Sequence, residues 1–171
     1  MATPASAGFI EPMLLLQASR LPEGANWCHE LKLDGYRAQT IRTKAGVQLL
    51  SRNRNELGGR FPHLAAALSK LPVNTVIDGE IVALDGDGRP SFNALQNYRS
   101  DASRIVYFAF DVLTLAGKDL AGEPLAKRKA ALRDKVLTKL ADPIRLAPEF
   151  DAPLRVVKLP GGVWRVDRRQ E

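Results

Sequence analysis

Five short runs rich in aliphatic, aromatic and β-branched residues, at 27–33, Tyr36–Thr43, 47–52, 76–84 and 104–113, are cut apart by turn-forming residues. Runs of that length and composition read as strands, and Lys44-Ala45-Gly46 and Asp85-Gly86-Asp87-Gly88 read as turns. The first three runs predict a meander. Three helices interleave with the strands. An Ala/Leu-rich stretch at 62–70 opens on Pro62, and a shorter one at 91–97 follows Ser91 as a cap. The longest, 124–140, repeats Leu125, Leu132, Val136 and Leu140 at helical spacing, with Lys127, Arg128, Arg133 and Lys139 assigned to the opposite, solvated face. Strands with interspersed helices but no strict strand–helix–strand rhythm predict an α+β fold, a largely antiparallel sheet with flanking helices.

Bulk properties narrow the function only a little. With 171 residues, 45% hydrophobic and 26% charged, the chain can fill one core, and disorder does not dominate. A net charge of +6 permits a polyanionic partner without demanding one, since a solvated basic face gives the same total. The single cysteine, Cys28, excludes an internal disulfide framework and a cysteine zinc cluster, and His29 and His63 alone do not suggest a histidine metal site. No apolar run approaches the roughly 20 residues needed to span a bilayer, so a soluble, intracellular protein is expected. Residues 1–12 read as a flexible arm and 152–171 as an irregular tail.

Candidate chemistry concentrates in Glu30-Leu31-Lys32-Leu33-Asp34-Gly35-Tyr36-Arg37. In an extended run, Glu30, Lys32 and Asp34 share one face, so two carboxylates flank one amine. A lysine amine is nucleophilic only when neutral, which calls for neighbouring cations, such as Arg37 or a metal, or a partly dry pocket. The plainer alternative is a half-buried strand ending in an Asp-Gly turn, with Lys32 an ordinary surface lysine.

In Val76-Ile77-Asp78-Gly79-Glu80-Ile81-Val82, Asp78 and Glu80 also share a face. Carboxylates inside an apolar strand are costly to bury unless something cationic or hydrogen-bonding meets them. Lys32, magnesium or a ribose hydroxyl would serve, and an edge strand facing water would remove the need. In Val106-Tyr107-Phe108-Ala109-Phe110-Asp111, Phe108 and Phe110 share a face, opposite Tyr107 and Asp111; such a strand is ordinarily core.

Taken in order, these segments, with Ser51-Arg52-Asn53, Arg60-Phe61-Pro62 and Ser91 to Gln96, resemble the adenylation domain of the ATP-dependent DNA ligases, whose lysine motif is K-x-D-G-x-R. The likeness is nearest to the ligase module of bacterial ligase D of non-homologous end joining. It implies a partial nucleotidyltransferase fold, ATP-grasp-like, over 13–151, without an OB-fold. Lys32 would take AMP from ATP. Glu30, Leu31, Arg37, Glu80 and Phe110 would form the nucleotide site, Glu30 near the adenine amine and Phe110 stacked on the base, a contact worth about 1–3 kcal/mol. Arg52 would hold a DNA phosphate, and Glu80 and Asp34 are candidate contacts for magnesium or manganese. Arg54 replaces a glycine common in the family and Glu56 an aspartate.

The same resemblance implies nicked or broken duplex DNA as partner, end-joining repair proteins beside it, no membrane, and the bacterial cytoplasm, associated with the nucleoid. The family's later E-G-[LVI]-[VM]-x-K motif is not matched, Lys158 being a poor substitute, so a C-terminally truncated domain with impaired activity is expected. Two other readings stay open: a non-catalytic nucleic-acid-binding remnant, and an RNA ligase or capping-type nucleotidyltransferase.

Overall fold

The computed structural model describes residues 7–14, 24, 27–98, 104–150 and 164–168. Among the described residues, nine strands and three α-helices follow in chain order. They are β1 (Trp27–Leu31), β2 (Tyr36–Thr43), β3 (Gly46–Ser51), α1 (Pro62–Leu68), β4 (Thr75–Ala83), α2 (Phe92–Gln96), β5 (Ile105–Leu115), β6 (Lys118–Asp119), α3 (Leu125–Ala131), β7 (Ile144–Leu146), β8 (Glu149–Phe150) and β9 (Trp164–Arg168). No helix among the described residues is long and apolar enough to cross a membrane.

The main sheet runs β3-β2-β4-β5-β6, all antiparallel, and β7 adds to β5 as its one parallel pair. A second sheet runs β8-β1-β9. The predicted meander of the first three runs is therefore corrected. β2 and β3 form a hairpin, but β1 belongs to the other sheet, and Asp34-Gly35 carries the chain between sheets rather than turning a hairpin. The tail holds one element that composition did not suggest: β9 pairs with β1 along its whole length, from Trp27↔Arg168 to Leu31↔Trp164. The rest of 151–171 lies outside the described residues.

One face of the main sheet carries the helices. Leu64 and Leu68 of α1, Leu95 of α2, and Leu132 and Val136 beyond α3 share a cluster with Leu49, Ile77, Ile81 and Tyr107, all at most 1% exposed. Neither α1 nor α2 is long enough to hold by itself, so this burial fixes them. Ser91 caps α2 as predicted, its Oγ accepting from the Ala94 N–H. The long predicted helix is helical throughout but changes pitch, passing from α3 into a π turn (Leu132–Val136) and a 3-10 turn (Leu137–Lys139). Leu132 and Val136 both stay in the core through this change.

The opposite face is covered by Leu33, Val82, Val106, Phe108, Phe110 and Ala147, and further along by Ala7, Ile41 and Val76. β4 is consequently buried at all nine positions, which rules out an edge strand with water-facing carboxylates. Within the expected arm, Ala7, Phe9 and Ile10 pack against Ile41 and Val76. Gln39 is 2% exposed and must satisfy its amide, which it does by donating to the Ile10 carbonyl and accepting from the Ile10 N–H, both at 2.8 Å. Residues 1–6 lie outside the described residues.

Candidate active site

The stretch from Glu30 to Arg37 crosses from one sheet to the other, and each residue type has a place in that path. β1 brings Glu30 to 1% exposure and ends at Leu31; beyond it Lys32 and Asp34 point outward while Leu33 enters the apolar layer with Val82, Phe108 and Phe110. Gly35 then presses against β4. A Cβ there would collide with the Ile81 carbonyl oxygen and stand 2.9 Å from Glu80 Cγ. The glycine of the motif is thus a close backbone approach, which brings the lysine segment down beside Glu80.

The two carboxylates expected to flank Lys32 are divided. Asp34 forms an ion pair with Lys32, both side chains well exposed, whereas Glu30 pairs with a residue of α3, Lys129. Asp78 meets a different cation from those the sequence suggested. Arg37, on the neighbouring strand, gives it Nη2 at 2.8 Å and Nε at 3.3 Å in a fork. Arg37 Nη1 also donates to the Met13 carbonyl at 2.8 Å, and its guanidinium carbon lies 5.5 Å from the centre of the Phe110 ring. Glu80 stands opposite Arg37 in the β2–β4 register, 7% exposed.

Gly79, between the two β4 carboxylates, admits an aromatic ring. A Cβ at that position would lie 2.6 Å from the Phe108 carbonyl oxygen and 2.7 Å from Tyr107 Cε1. Tyr107 fills the space with its hydroxyl donating to the Ala38 carbonyl at 2.9 Å. Burial first, then the charge of Asp78, pushes its phenol well above the ordinary range, so it remains a donor.

Phe110 sits at an irregularity. The β4–β5 register passes from Gly79↔Ala109 to Asp78↔Asp111, leaving Phe110 as the extra residue of a β-bulge. Bulges re-aim a side chain, and here the ring joins the Leu33 layer, 7% exposed, beneath Arg37. The bulge also turns Asp111 toward α3, where Arg128 grips both its oxygens at 2.9 Å. Arg128 and Lys129 are 7% and 6% exposed, so the solvated role expected of Arg128 is corrected. Lys129 Nζ bonds Glu30, Glu149 at 3.0 Å and the Phe110 carbonyl at 3.4 Å. Burial opposes its charge, but Glu30 and then Glu149 outweigh burial and hold its pKa above the usual value.

Arg52 belongs to an open cleft of about 800 Å³ whose wall includes Gly35, Arg37, Arg60, Glu80 and Asn53. The turn that presents it forms despite its two unusual residues. Arg54 takes the left-handed φ of 60° that a glycine would favour, its N–H on the Ser51 carbonyl at 2.8 Å and its guanidinium 4.7 Å over the Phe9 ring. The Glu56 carboxylate accepts from the Gly58 and Gly59 N–H groups at 2.7 and 3.0 Å. Arg60 donates to the Leu95 and Gln96 carbonyls and lies 5.2 Å over the Tyr36 ring, tying α2 to the cleft.

Three guanidiniums around one cleft suit phosphate oxygens. Among the described residues no group of three or more His, Cys, Asp or Glu could hold a metal by itself. Magnesium needs only one or two carboxylates when phosphates supply its other ligands, a demand that Glu80 in the cleft wall and exposed Asp34 fit.

The arrangement of strands and helices is that of the nucleotidyltransferase fold. The ligase domain of Mycobacterium tuberculosis LigD superposes with a TM-score of 0.64 at 30% identity, over 74% of this chain and 41% of that one. A mycobacterial DNA ligase D complexed with ATP and MES gives 0.61 at 31% identity, over 72% and 40%. The family model for the ATP dependent DNA ligase domain matches residues 12–152. The chain belongs to that family, whose members are ATP-dependent DNA ligases. It is 38% identical over 142 residues to the multifunctional non-homologous end joining protein LigD of Pseudomonas aeruginosa, covering 81% of the chain and 17% of the relative. To DNA ligase C2 of Mycolicibacterium smegmatis it is 40% identical over 144 residues, covering 78% and 39%. The chain thus spans well under half the length of these relatives.

Proposed function

We propose that the chain carries the lysine-nucleotidylation site of an ATP-dependent DNA ligase. The observation that supports this best is the path of residues 30–37. One continuous segment presents Lys32 to solvent, rests Gly35 beside Glu80, and sends Arg37 to both Asp78 and Phe110.

The Lys32 amine attacks the α-phosphorus of ATP: an N–P bond forms, the bond to the β-phosphate oxygen breaks, pyrophosphate departs, and the amine loses a proton. The AMP then passes to a 5′-phosphate at a nick, and the adjacent 3′-hydroxyl displaces it to close the strand. Lys32 must leave its ion pair with Asp34 to react, because the attacking amine is neutral. Glu30 receives the adenine amine, the Phe110 ring offers a stacking face, and the backbone at Leu31 lines the base site. Arg37 meets a phosphate of the nucleotide, and Arg52 meets a phosphate of the DNA. Glu80 and Asp34 would hold magnesium or manganese, which would supply charge neutralisation for phosphoryl transfer. The same proposal extends to action at nicks or double-strand breaks, beside end-joining proteins, in the bacterial cytoplasm.

Incubation with α-labelled ATP and magnesium tests the reading. Label should become bound to the chain and be absent from Lys32→Ala; label retained by that variant would sink the assignment. A second reading, DNA binding without chemistry, draws on the same cleft arginines and predicts salt-sensitive retention of duplex with no label.

A further inference from the structure

We infer that Lys129 is a positioning residue for base selection, holding Glu30 as an ionised, acceptor-only carboxylate at the adenine edge. The inference rests on the proposed nucleotide site and adds to it a residue on a separate element. One ammonium has three N–H donors, and Lys129 directs its donors to Glu30 on β1, Glu149 on β8 and the Phe110 carbonyl on β5. The residue proposed to read the exocyclic group and the one proposed to stack on the ring are thereby joined through one side chain. Lys129 is 6% exposed and Glu30 1%, so water screens the pair little.

The chemistry of the two purines shows why this matters. Adenine presents an amine donor where guanine presents a carbonyl acceptor. An ionised carboxylate only accepts, so it welcomes the first and repels the second. A carboxylate offers about four lone-pair sites, so Glu30 can keep Lys129 and still accept from an amine. Without its cation, a carboxylate this deeply buried takes up a proton rather than remain charged, and the resulting O–H can donate to guanine. Lys129 thus preserves the discrimination without touching the nucleotide.

The test uses the whole chain and equilibrium titration with ATP and with GTP in magnesium, read as the ratio of the two affinities. The intact chain should prefer ATP. Lys129→Met should lose about tenfold of that preference, the lower end of what one charge-assisted hydrogen bond supplies, and Lys129→Arg should restore most of it. A folded Lys129→Met that keeps the full ratio overturns the role of Lys129 alone. An intact chain that binds both nucleotides equally also overturns it, leaving the Lys32 labelling assay to judge the chemistry. An intact chain that binds neither overturns the nucleotide site itself. If Lys129→Met does not fold, the double variant Glu30→Gln/Lys129→Met removes both charges of the pair and should show the ratio of Glu30→Gln alone; a further fall below that ratio overturns the inference.

Discussion

Arg37 and Asp78 form a forked ion pair across β2 and β4, Nη2 at 2.8 Å and Nε at 3.3 Å from the two carboxylate oxygens, with the aspartate side chain only 4% exposed. Removing the cation leaves a buried carboxylate with its main counter-charge gone. Arg37→Ala should therefore cost about 3 kcal/mol, toward the low end for a broken buried pair because Arg37 itself reaches solvent. Urea unfolding measures it. The double variant Arg37→Met/Asp78→Leu should lose less than the single one, and a single variant within about 0.5 kcal/mol of the parent would show the pair to be incidental.

Gly79 is required by packing. Its missing Cβ leaves room for the Tyr107 ring and the Phe108 carbonyl, and neither is the free end of a flexible chain. Gly79→Ala should destabilise by about 1–3 kcal/mol through overpacking. Gly86, whose added Cβ would meet nothing within 4 Å, provides the control. Equal melting temperatures for the Gly79→Ala and Gly86→Ala variants would refute the packing argument.

Lys129 links stability to alkaline pH. Burial lowers its pKa, but the charges of Glu30 and Glu149 more than offset this, so the folded value lies above the unfolded one, near 10.4. For a raised pKa the contribution is complete below the unfolded value and fades as pH rises through the folded value. The stability gap between the parent and Lys129→Met should thus be constant from neutral pH to about pH 10 and shrink above it. Denaturant midpoints at stepped pH give the curve; a gap that closes between pH 6 and 8 would contradict the pairing.

These side chains also show where sequence reasoning stops. β2 was legible to the residue because alternation, turn signals and burial on both sides agree, and the paired carboxylates of β4 announced that a cation must lie nearby. They could not announce which one, because separation along the chain does not choose between Arg37 and Lys32 and only register decides. β1 was misplaced because periodicity gives a strand no address in one sheet or another. Arg128 and Lys129 had a readable signal. They stand three and four residues after Leu125 and four and three before Leu132, on the helix face that turns inward, where charge argues for buried partners rather than for solvent. The Phe110 bulge had none, since it arises from the register of β4 against β5.

Arg52 is exposed on a turn at the cleft and is proposed to meet DNA phosphate rather than nucleotide. Its loss should therefore separate the two substrates. Arg52→Ala should leave lysine labelling by ATP within about twofold of the parent, because no step of that reaction is assigned to it. Binding of a nicked duplex should weaken, and the slope of log affinity against log salt should fall by about 0.9, the change for one phosphate contact. The turn should keep its shape, since Ser51, Asn55 and Glu56 hold it through bonds that do not involve the Arg52 side chain. An Arg52→Ala chain with unchanged DNA affinity and salt slope would move the phosphate contact to another cleft arginine, and Arg60→Ala is the next variant to measure.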